Sequence, residues 1–208
     1  MTRAQRINTA LRRVPSWPLY LLGAIPAVWL LAQALTGGLG PDPVKALERQ
    51  LGEIALQLLV AGLAITPVLR LTRVNLIRYR RALGLLAFIY AALHLTVWVV
   101  LDVQIPAQIW ADIVKRPYVT IGMTAFVLMI PLALTSNAWS IRKLGPAWRR
   151  LHKLTYAVAL MGGVHYLMLV KGWQIEPMLY LAGIAALLLM RLRVSAALGA
   201  TAARARSV

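Results

Sequence analysis

Six long apolar segments constrain this chain more than any other feature of its sequence. Each has the roughly 20 mainly apolar residues that a helix needs to cross a bilayer. They cover about residues 17–36, 51–69, 82–101, 117–135, 152–170 and 176–191. Because backbone polar groups must find hydrogen bonds within lipid, such segments are expected to be helical. The sequence therefore predicts an all-α integral membrane protein, a six-transmembrane-helix bundle that forms a single domain over residues 1–208.

The composition agrees with a membrane protein and excludes several classes of site. Hydrophobic residues make up 60% of the chain and charged residues only 14%, far from the balance of a soluble domain. A net charge of +17 could suggest nucleic acid, but nearly every base lies beside an apolar segment, so no nucleic-acid partner is expected. The chain has no cysteine, which excludes disulfides, thiolate metal sites and iron–sulfur clusters.

The charges divide the predicted bundle into two ends. The inner end carries most of the bases: Arg3, Arg6, Arg12, Arg13, Arg70, Arg73, Arg78, Arg80, Arg81, Arg142, Lys143, Arg149, Arg150, Lys153, Arg191, Arg193, Arg204 and Arg206. The outer end carries Lys45, Arg49, Lys115, Arg116 and Lys171, together with all six acids, which are Asp42, Glu48, Glu53, Asp102, Asp112 and Glu176. Lysine and arginine accumulate in cytoplasmic loops. Both termini and the loops near residues 75 and 145 are therefore predicted to be cytoplasmic.

Two of the three histidines fall at similar depths in the predicted bundle. His94 lies 12 residues into the third segment and His165 lies 13 residues into the fifth, about 18 and 20 Å at 1.5 Å per residue. A single membrane histidine is often only a hydrogen bond between helices. A facing pair, however, supplies the two axial ligands of a six-coordinate haem iron. The sequence therefore predicts a haem site at His94 and His165.

Small residues near these histidines would leave room for the flat macrocycle. Gly84, Ala87 and Ala91 precede His94 on one helical face, and Gly162 and Gly163 lie within one turn of His165. Small residues also let membrane helices pack closely, so this pattern supports the haem site only together with the histidines.

His152 lies at the inner border, where it is either an interfacial residue or a ligand of a second haem. It differs from His165 by about 140° around an ideal helix, and a bulge at residues 162–163 would be needed to align the two. Arg80 and Arg81 occupy the matching depth on the third segment. Arginines there could bind haem propionates, a quinone head group or a flavin phosphate.

Proton or metal-ion transport is the main rival function. Transport sites usually place Asp or Glu inside the bilayer. All six carboxylates here belong to the outer ends or outer loops, which argues against a transporter.

Several stretches of the chain resemble the MsrQ family, also called YedZ, the haem-binding membrane subunits of bacterial periplasmic methionine sulfoxide reductase systems. The resemblance spans roughly residues 17–190 and is most specific around the histidines. The matching stretches are "GGLGPDPVKALERQLG" (37–52), "ITPVLR" (65–70), "IRYRRALGLLAFIYAALHLTVW" (77–98), "RPYVTIGM" (116–123), "LALTS" (132–136), "KLGPAWRRLHKLTYAV" (143–158) and "VHYLMLVK" (164–171).

The resemblance implies a multi-pass protein of the bacterial inner membrane, related to ferric reductases and NADPH oxidases. It implies haem b, one or two per chain, linked to His94, His152 and His165, and it brings FMN as a further cofactor. Electrons would pass from the quinone pool or a cytoplasmic flavin reductase to a periplasmic molybdopterin subunit that reduces methionine sulfoxide. We expect the outer loops to offer that partner a docking surface made of Asp42, Glu48, Asp102, Asp112 and Glu176. No substrate site is expected in this chain. The alternative is a self-sufficient transmembrane ferric or quinone reductase.

Overall fold

The computed structural model describes residues 1–170 and 174–206, with side chains through Arg191. Of the bases used for the topology prediction, Lys171 and the side chains of Arg193, Arg204 and Arg206 lie outside the described part.

The described residues form an all-helical structure, as predicted. The helices are α1 (Arg3–Arg13), α2 (Pro18–Leu35), α3 (Pro43–Thr72), α4 (Arg80–Val97), α5 (Pro106–Lys115), α6 (Pro117–Leu134), α7 (Ala138–Leu144), α8 (Pro146–Leu151), α9 (Leu154–Leu169) and α10 (Ile175–Arg206). A 3-10 turn, Ile77–Tyr79, precedes α4, and a π-helical turn, Trp98–Val103, follows it. Five of the helices begin with proline, which has no N–H to leave unpaired in a first turn.

Four helical stretches in the described part are long and apolar enough to cross a membrane: Pro18–Leu35, Pro43–Thr72, Ile77–Val103 and Pro117–Leu134. They coincide with the first four predicted spans, so the chain is a multi-pass membrane protein. The other two predicted spans correspond to α9, which has 16 residues, and α10. Their crossing of the membrane stays a prediction.

Two antiparallel helix pairs form the centre of the bundle. In the first pair, α3 runs against α4, so that Glu48 meets His94 at one end and Thr66 meets Arg80 at the other. In the second pair, α6 runs against α9, with Tyr118 beside His165 and Thr135 beside His152. Buried side chains such as Leu56 join α3 to α9 and α10, and further apolar residues join α4 to α6 and α9. This packing brings the third and fifth predicted spans together around one interior.

The topology prediction is tested by single-cysteine labelling, because the chain has no cysteine of its own. Ala147 at the inner end and Ala107 at the outer end are both exposed alanines. With cytoplasmic termini, an impermeant thiol reagent added to intact spheroplasts labels Ala107→Cys, whereas Ala147→Cys reacts only after permeabilisation. Labelling of Ala147→Cys in intact spheroplasts would refute the orientation.

Candidate functional site

His94 on α4 and His165 on α9 face each other inside the bundle. Their ring centroids are 6.3 Å apart and their planes differ by 78°. A ligating imidazole nitrogen lies about 2 Å from its metal and about 1 Å from its own ring centre, so two rings on opposite sides of one metal have centroids about 6 Å apart. The prediction that these two imidazoles meet at one depth is confirmed, and their separation leaves the space of one metal ion between them.

Hydrogen bonds to the backbone fix which nitrogen each ring presents. The Nδ1 of His94 lies 2.8 Å from the carbonyl oxygen of Glu48, and the Nδ1 of His165 lies 2.7 Å from that of Tyr118. A carbonyl oxygen only accepts, so each Nδ1 carries the proton and donates it. Each Nε2 therefore holds a lone pair, and among the described residues no hydrogen bond reaches it. Ligating histidines are usually oriented by such a bond from the other ring nitrogen.

Two glycines, Gly52 on α3 and Gly122 on α6, allow the imidazoles to approach the helix backbones. A Cβ at Gly52 would lie 3.0 Å from the Nδ1 of His94, and one at Gly122 would lie 2.8 Å from the Nδ1 of His165. Each glycine stands four residues after the carbonyl that accepts the imidazole proton, in "ERQLG" and "YVTIG". The sequence analysis did not identify these two glycines. The four-residue spacing that each shares with its carbonyl residue is visible in the sequence and could have indicated them.

A cavity of about 350 Å³ surrounds the two imidazoles, within the usual range for a ligand pocket. Its walls are mostly apolar and come from α3, α4, α6 and α9: Ala55, Leu56, Leu59, Ala91, Leu95, Val119, Met123, Phe126, Met129 and Val158. Among the described residues, no cluster of three or more histidine, cysteine, aspartate or glutamate side chains could hold a metal ion. Two imidazoles in an apolar slot instead suit a metal that brings four further ligands with its own macrocycle.

The small residues predicted to make room divide between the cavity and other contacts. Ala91 and Gly162 line the cavity as expected. Gly84 has no neighbour near its missing Cβ, Ala87 is buried beside Met129 outside the cavity lining, and Gly163 packs against α10. Of the three small residues below His94, Ala91 lines the cavity, Ala87 packs in the core and Gly84 contacts neither. The prediction that this face makes room for the macrocycle is therefore right for Ala91 alone.

The outer end of the cavity is charged. Lys45, Arg49 and Arg116 stand there beside Glu48, Glu53 and Asp102. Two of the acids form ion pairs with the bases: Arg49 lies 2.9 Å from Glu53, and Lys45 lies 3.8 Å from Asp102. The π-helical turn after α4 carries both Trp98 and Asp102, which keeps these side chains at the cavity. Three bases and three acids therefore balance at this mouth, and a ligand carboxylate that binds a base here must replace that base's acidic partner.

His152 occupies a separate site at the inner end of the bundle. Its ring stacks on Trp148 at 3.9 Å, and its Nε2 lies 3.1 Å from the hydroxyl oxygen of Thr135. That hydroxyl donates its proton to the carbonyl of Pro131 at 2.6 Å, so the Nε2 of His152 must be the donor to it. His152 therefore presents the opposite tautomer from the facing pair, with its Nε2 already engaged.

No bulge brings His152 toward His165. Helix α9 runs from Leu154 to Leu169 without interruption at residues 162–163, and His152 precedes it in a turn that does not line the cavity. The realignment considered from the sequence is thus absent.

The two arginines singled out from the sequence differ in placement. The guanidinium of Arg80 contacts the hydroxyl of Thr66 on α3, and its Nε is buried. The Arg81 side chain is exposed. Neither lines the histidine cavity.

One of the outer acids cannot belong to a docking surface. Asp112 is only 5% exposed and bonds to Gln108 and Arg116 at the end of α5. It stabilises this helix end, so its assignment to a surface patch was wrong. Asp42 and Glu176 are exposed.

The chain is similar in sequence to known membrane proteins. The profile of the ferric reductase-like transmembrane component matches residues 50–163. Proteins from Brucella ovis, Brucella canis and Brucella suis, each named protein-methionine-sulfoxide reductase heme-binding subunit MsrQ, are 54% identical over 177 residues, which is 85% of this chain and 80% of each relative. No solved structure is significantly similar. The chain therefore belongs to the ferric reductase-like transmembrane proteins and, among them, to the MsrQ family.

Proposed function

We propose that the chain is a haem b electron-transfer subunit in which His94 and His165 are the two axial ligands. The observation that carries the proposal is the facing pair of imidazoles, whose ring centroids are 6.3 Å apart and whose Nδ1 protons are both engaged, so that each Nε2 keeps its lone pair. Haem b bound there takes up and gives up single electrons. The Nδ1 hydrogen bonds hold each ring in the ligating tautomer before the haem arrives, which lowers the cost of binding.

The remaining cavity residues orient the macrocycle. The apolar walls exclude water from its faces, while Lys45, Arg49 and Arg116 at the outer mouth meet the propionates. A haem whose propionates were held by these bases would supply electron transfer at the outer end, where a partner could bind. The walls and the charged mouth also support a single haem in this position.

We further propose that the electron acceptor is a periplasmic molybdopterin-containing methionine sulfoxide reductase. The names of the relatives support a methionine sulfoxide reductase as the partner, because they describe a heme-binding subunit of a protein-methionine-sulfoxide reductase. The periplasmic location and the molybdopterin of that partner rest on the family resemblance. The electron donor is the quinone pool or a cytoplasmic flavin reductase, and the protein resides in the bacterial inner membrane. FMN as a second cofactor rests on the family resemblance alone.

Electron transfer from reduced protein tests the function. The purified protein is reduced with dithionite, freed of excess reductant and mixed with the oxidised molybdopterin partner and a methionine sulfoxide substrate. Rapid reoxidation that depends on the partner supports the proposed role. The ferric reductase-like fold favours a second candidate, a self-sufficient ferric reductase, and equally rapid reoxidation by a ferric chelate without the partner would support that role instead.

We predict that His152→Ala keeps the haem of the facing pair. Because the His152 Nε2 bonds to Thr135 and its ring stacks on Trp148, its loss disturbs the α8–α9 turn and not the cavity. Haem per protein should equal that of wild type, while the stability of the protein falls by about 1 kcal/mol from the lost hydrogen bond. Pyridine haemochrome assays and thermal unfolding measure the two effects. Loss of half the haem with an unchanged remainder would instead show a second haem at His152.

A further inference from the structure

The inner end of the bundle holds a second cluster of polar side chains, separate from the histidine cavity. Four helices contribute to it: Thr66 on α3, Arg80 on α4, Tyr156 on α9 and Arg191 on α10. Arg80 contacts the Thr66 hydroxyl, and Arg191 donates to the Tyr156 hydroxyl at 2.9 Å and to the Leu63 carbonyl at 2.7 Å. Leu63 and Thr66 are three residues apart on α3, so the two guanidinium groups contact neighbouring positions on one face of this helix.

Among the described residues, no aspartate or glutamate forms an ion pair with Arg80. All six acidic side chains of the sequence stand at the opposite end of the bundle. Glu53 precedes Thr66 by 13 residues on α3, a separation of about 20 Å along the helix axis. At that distance two unit charges interact by less than about 1 kcal/mol at an effective dielectric constant of 20. The positive charge of Arg80 is therefore uncompensated by any carboxylate side chain that the structure describes.

The hydrogen-bond partners of Arg80 among the described residues leave its donors only partly used. The Thr66 hydroxyl is a neutral acceptor, and the buried Nε of Arg80 has no hydrogen-bond partner among the described residues. Burying a donor without a partner is costly, and more so when the group is charged. An anion at this position would pair with the charge and accept from the idle donor in one step.

The chemistry of the cluster favours a phosphate group. The planar guanidinium fork matches phosphate oxygens in a two-bond arrangement, and the hydroxyls of Thr66 and Tyr156 are neutral groups that do not repel an anion. The charge pattern assigns this end to the cytoplasm, and basic pockets between transmembrane helices on that side bind the head groups of anionic lipids.

We propose that Arg80, supported by Thr66, Tyr156 and Arg191, forms a phosphate-binding site at the inner end of α3, α4, α9 and α10. Its occupant is the phosphate of an anionic phospholipid such as phosphatidylglycerol, and a soluble phosphate shares the same chemistry. The site ties four helices together at the end of the bundle opposite the charged cavity mouth. It does not depend on the haem assignment.

Lipid retention tests the site. Wild-type protein and three variants, Arg80→Gln, Arg80→Lys and Arg81→Gln, are placed in nanodiscs of phosphatidylglycerol and phosphatidylcholine and released for native mass spectrometry. Arg81→Gln is the matched control, because it removes the same charge from an exposed side chain one residue away. We expect wild type and Arg81→Gln to retain one phosphatidylglycerol. Arg80→Gln should lose it at least roughly tenfold, and Arg80→Lys, which keeps the charge without the fork, should fall between them.

A second measurement needs no variant and so does not depend on how well Arg80→Gln folds. Delipidated wild-type protein is heated in detergent with phosphatidylglycerol, phosphatidylcholine, inorganic phosphate or chloride at one ionic strength. A rise in the unfolding midpoint with phosphatidylglycerol alone identifies a lipid site, and a rise with inorganic phosphate identifies a site open to soluble phosphates. Equal midpoints in all four conditions, or full phosphatidylglycerol retention by Arg80→Gln, would overturn the proposal.

Discussion

Purified His94→Ala and His165→Ala proteins are expected to contain little haem. Each substitution removes one of the two facing imidazoles, and no other described side chain near the 6.3 Å gap offers a comparable nitrogen. We expect haem per protein to fall at least roughly tenfold, since even loss of an outer hydrogen bond to a ligand typically costs 10- to 100-fold in affinity. Any residual haem should be high-spin, because one axial position would be empty or filled by water.

The comparison with His152→Ala makes this result specific. Expression level and thermal unfolding of the apoproteins show whether each variant is folded, and haem content is then compared per folded chain. If His94→Ala kept a normal low-spin spectrum while His152→Ala lost its haem, the axial pair would be His152 and His165. Equal partial losses in all three variants would favour two haems that share the histidines.

The second large effect is expected from Gly122→Ala, a change of one methyl group. The new Cβ would lie 2.8 Å from the Nδ1 and 2.9 Å from the Cε1 of His165, closer than nonbonded carbon atoms approach. The ring must shift, which lengthens its hydrogen bond to the Tyr118 carbonyl and moves its Nε2 off the axis shared with His94. We expect haem affinity to fall roughly 10- to 100-fold, with a partly high-spin spectrum in the haem that remains.

Gly84→Ala is the matched control for this prediction. It adds the same methyl group within an apolar helix, but no atom lies within 4 Å of the new Cβ. Its haem content and spectrum should equal those of wild type. Haem titration of both apoproteins measures the difference, and equal affinities for Gly122→Ala and Gly84→Ala would show that the glycine contact does not hold the His165 ring.

The proximity of His94 and His165 could be predicted from sequence because depth in a membrane helix is a count of residues. The 1.5 Å rise per residue places His94 and His165 at similar depths once the span boundaries are known, and the apolar walls follow from the spans themselves. Small residues carried less information: Gly84 and Gly122 look alike in sequence, yet only Gly122 contacts an imidazole. Which glycine lies under a ring depends on how α6 is rotated against α9, and periodicity within one helix does not give that rotation.

The same limit applies to charged residues at the helix ends. Asp112 reads as one of several outer acids, but its burial results from the fold of α5 back onto the start of α6. Arg80 and Arg81 are neighbours in the same basic run, and only the packing of α4 against α3 directs the first inward and leaves the second exposed. The position of His152 is set by its stacking on Trp148, and its tautomer by the hydrogen bond to Thr135. The number of residues between His152 and His165 gives no information about either partner.

Electron paramagnetic resonance of the purified, oxidised wild-type protein tests the central claim most directly. One signal reports the spin state, the number of haems and the relative orientation of the axial rings. Two imidazole ligands whose planes differ by 78° predict low-spin ferric iron with a strongly anisotropic signal, integrating to one haem per chain. A high-spin signal as the main species, or low-spin intensity equal to two haems per chain, would contradict a single haem held between His94 and His165.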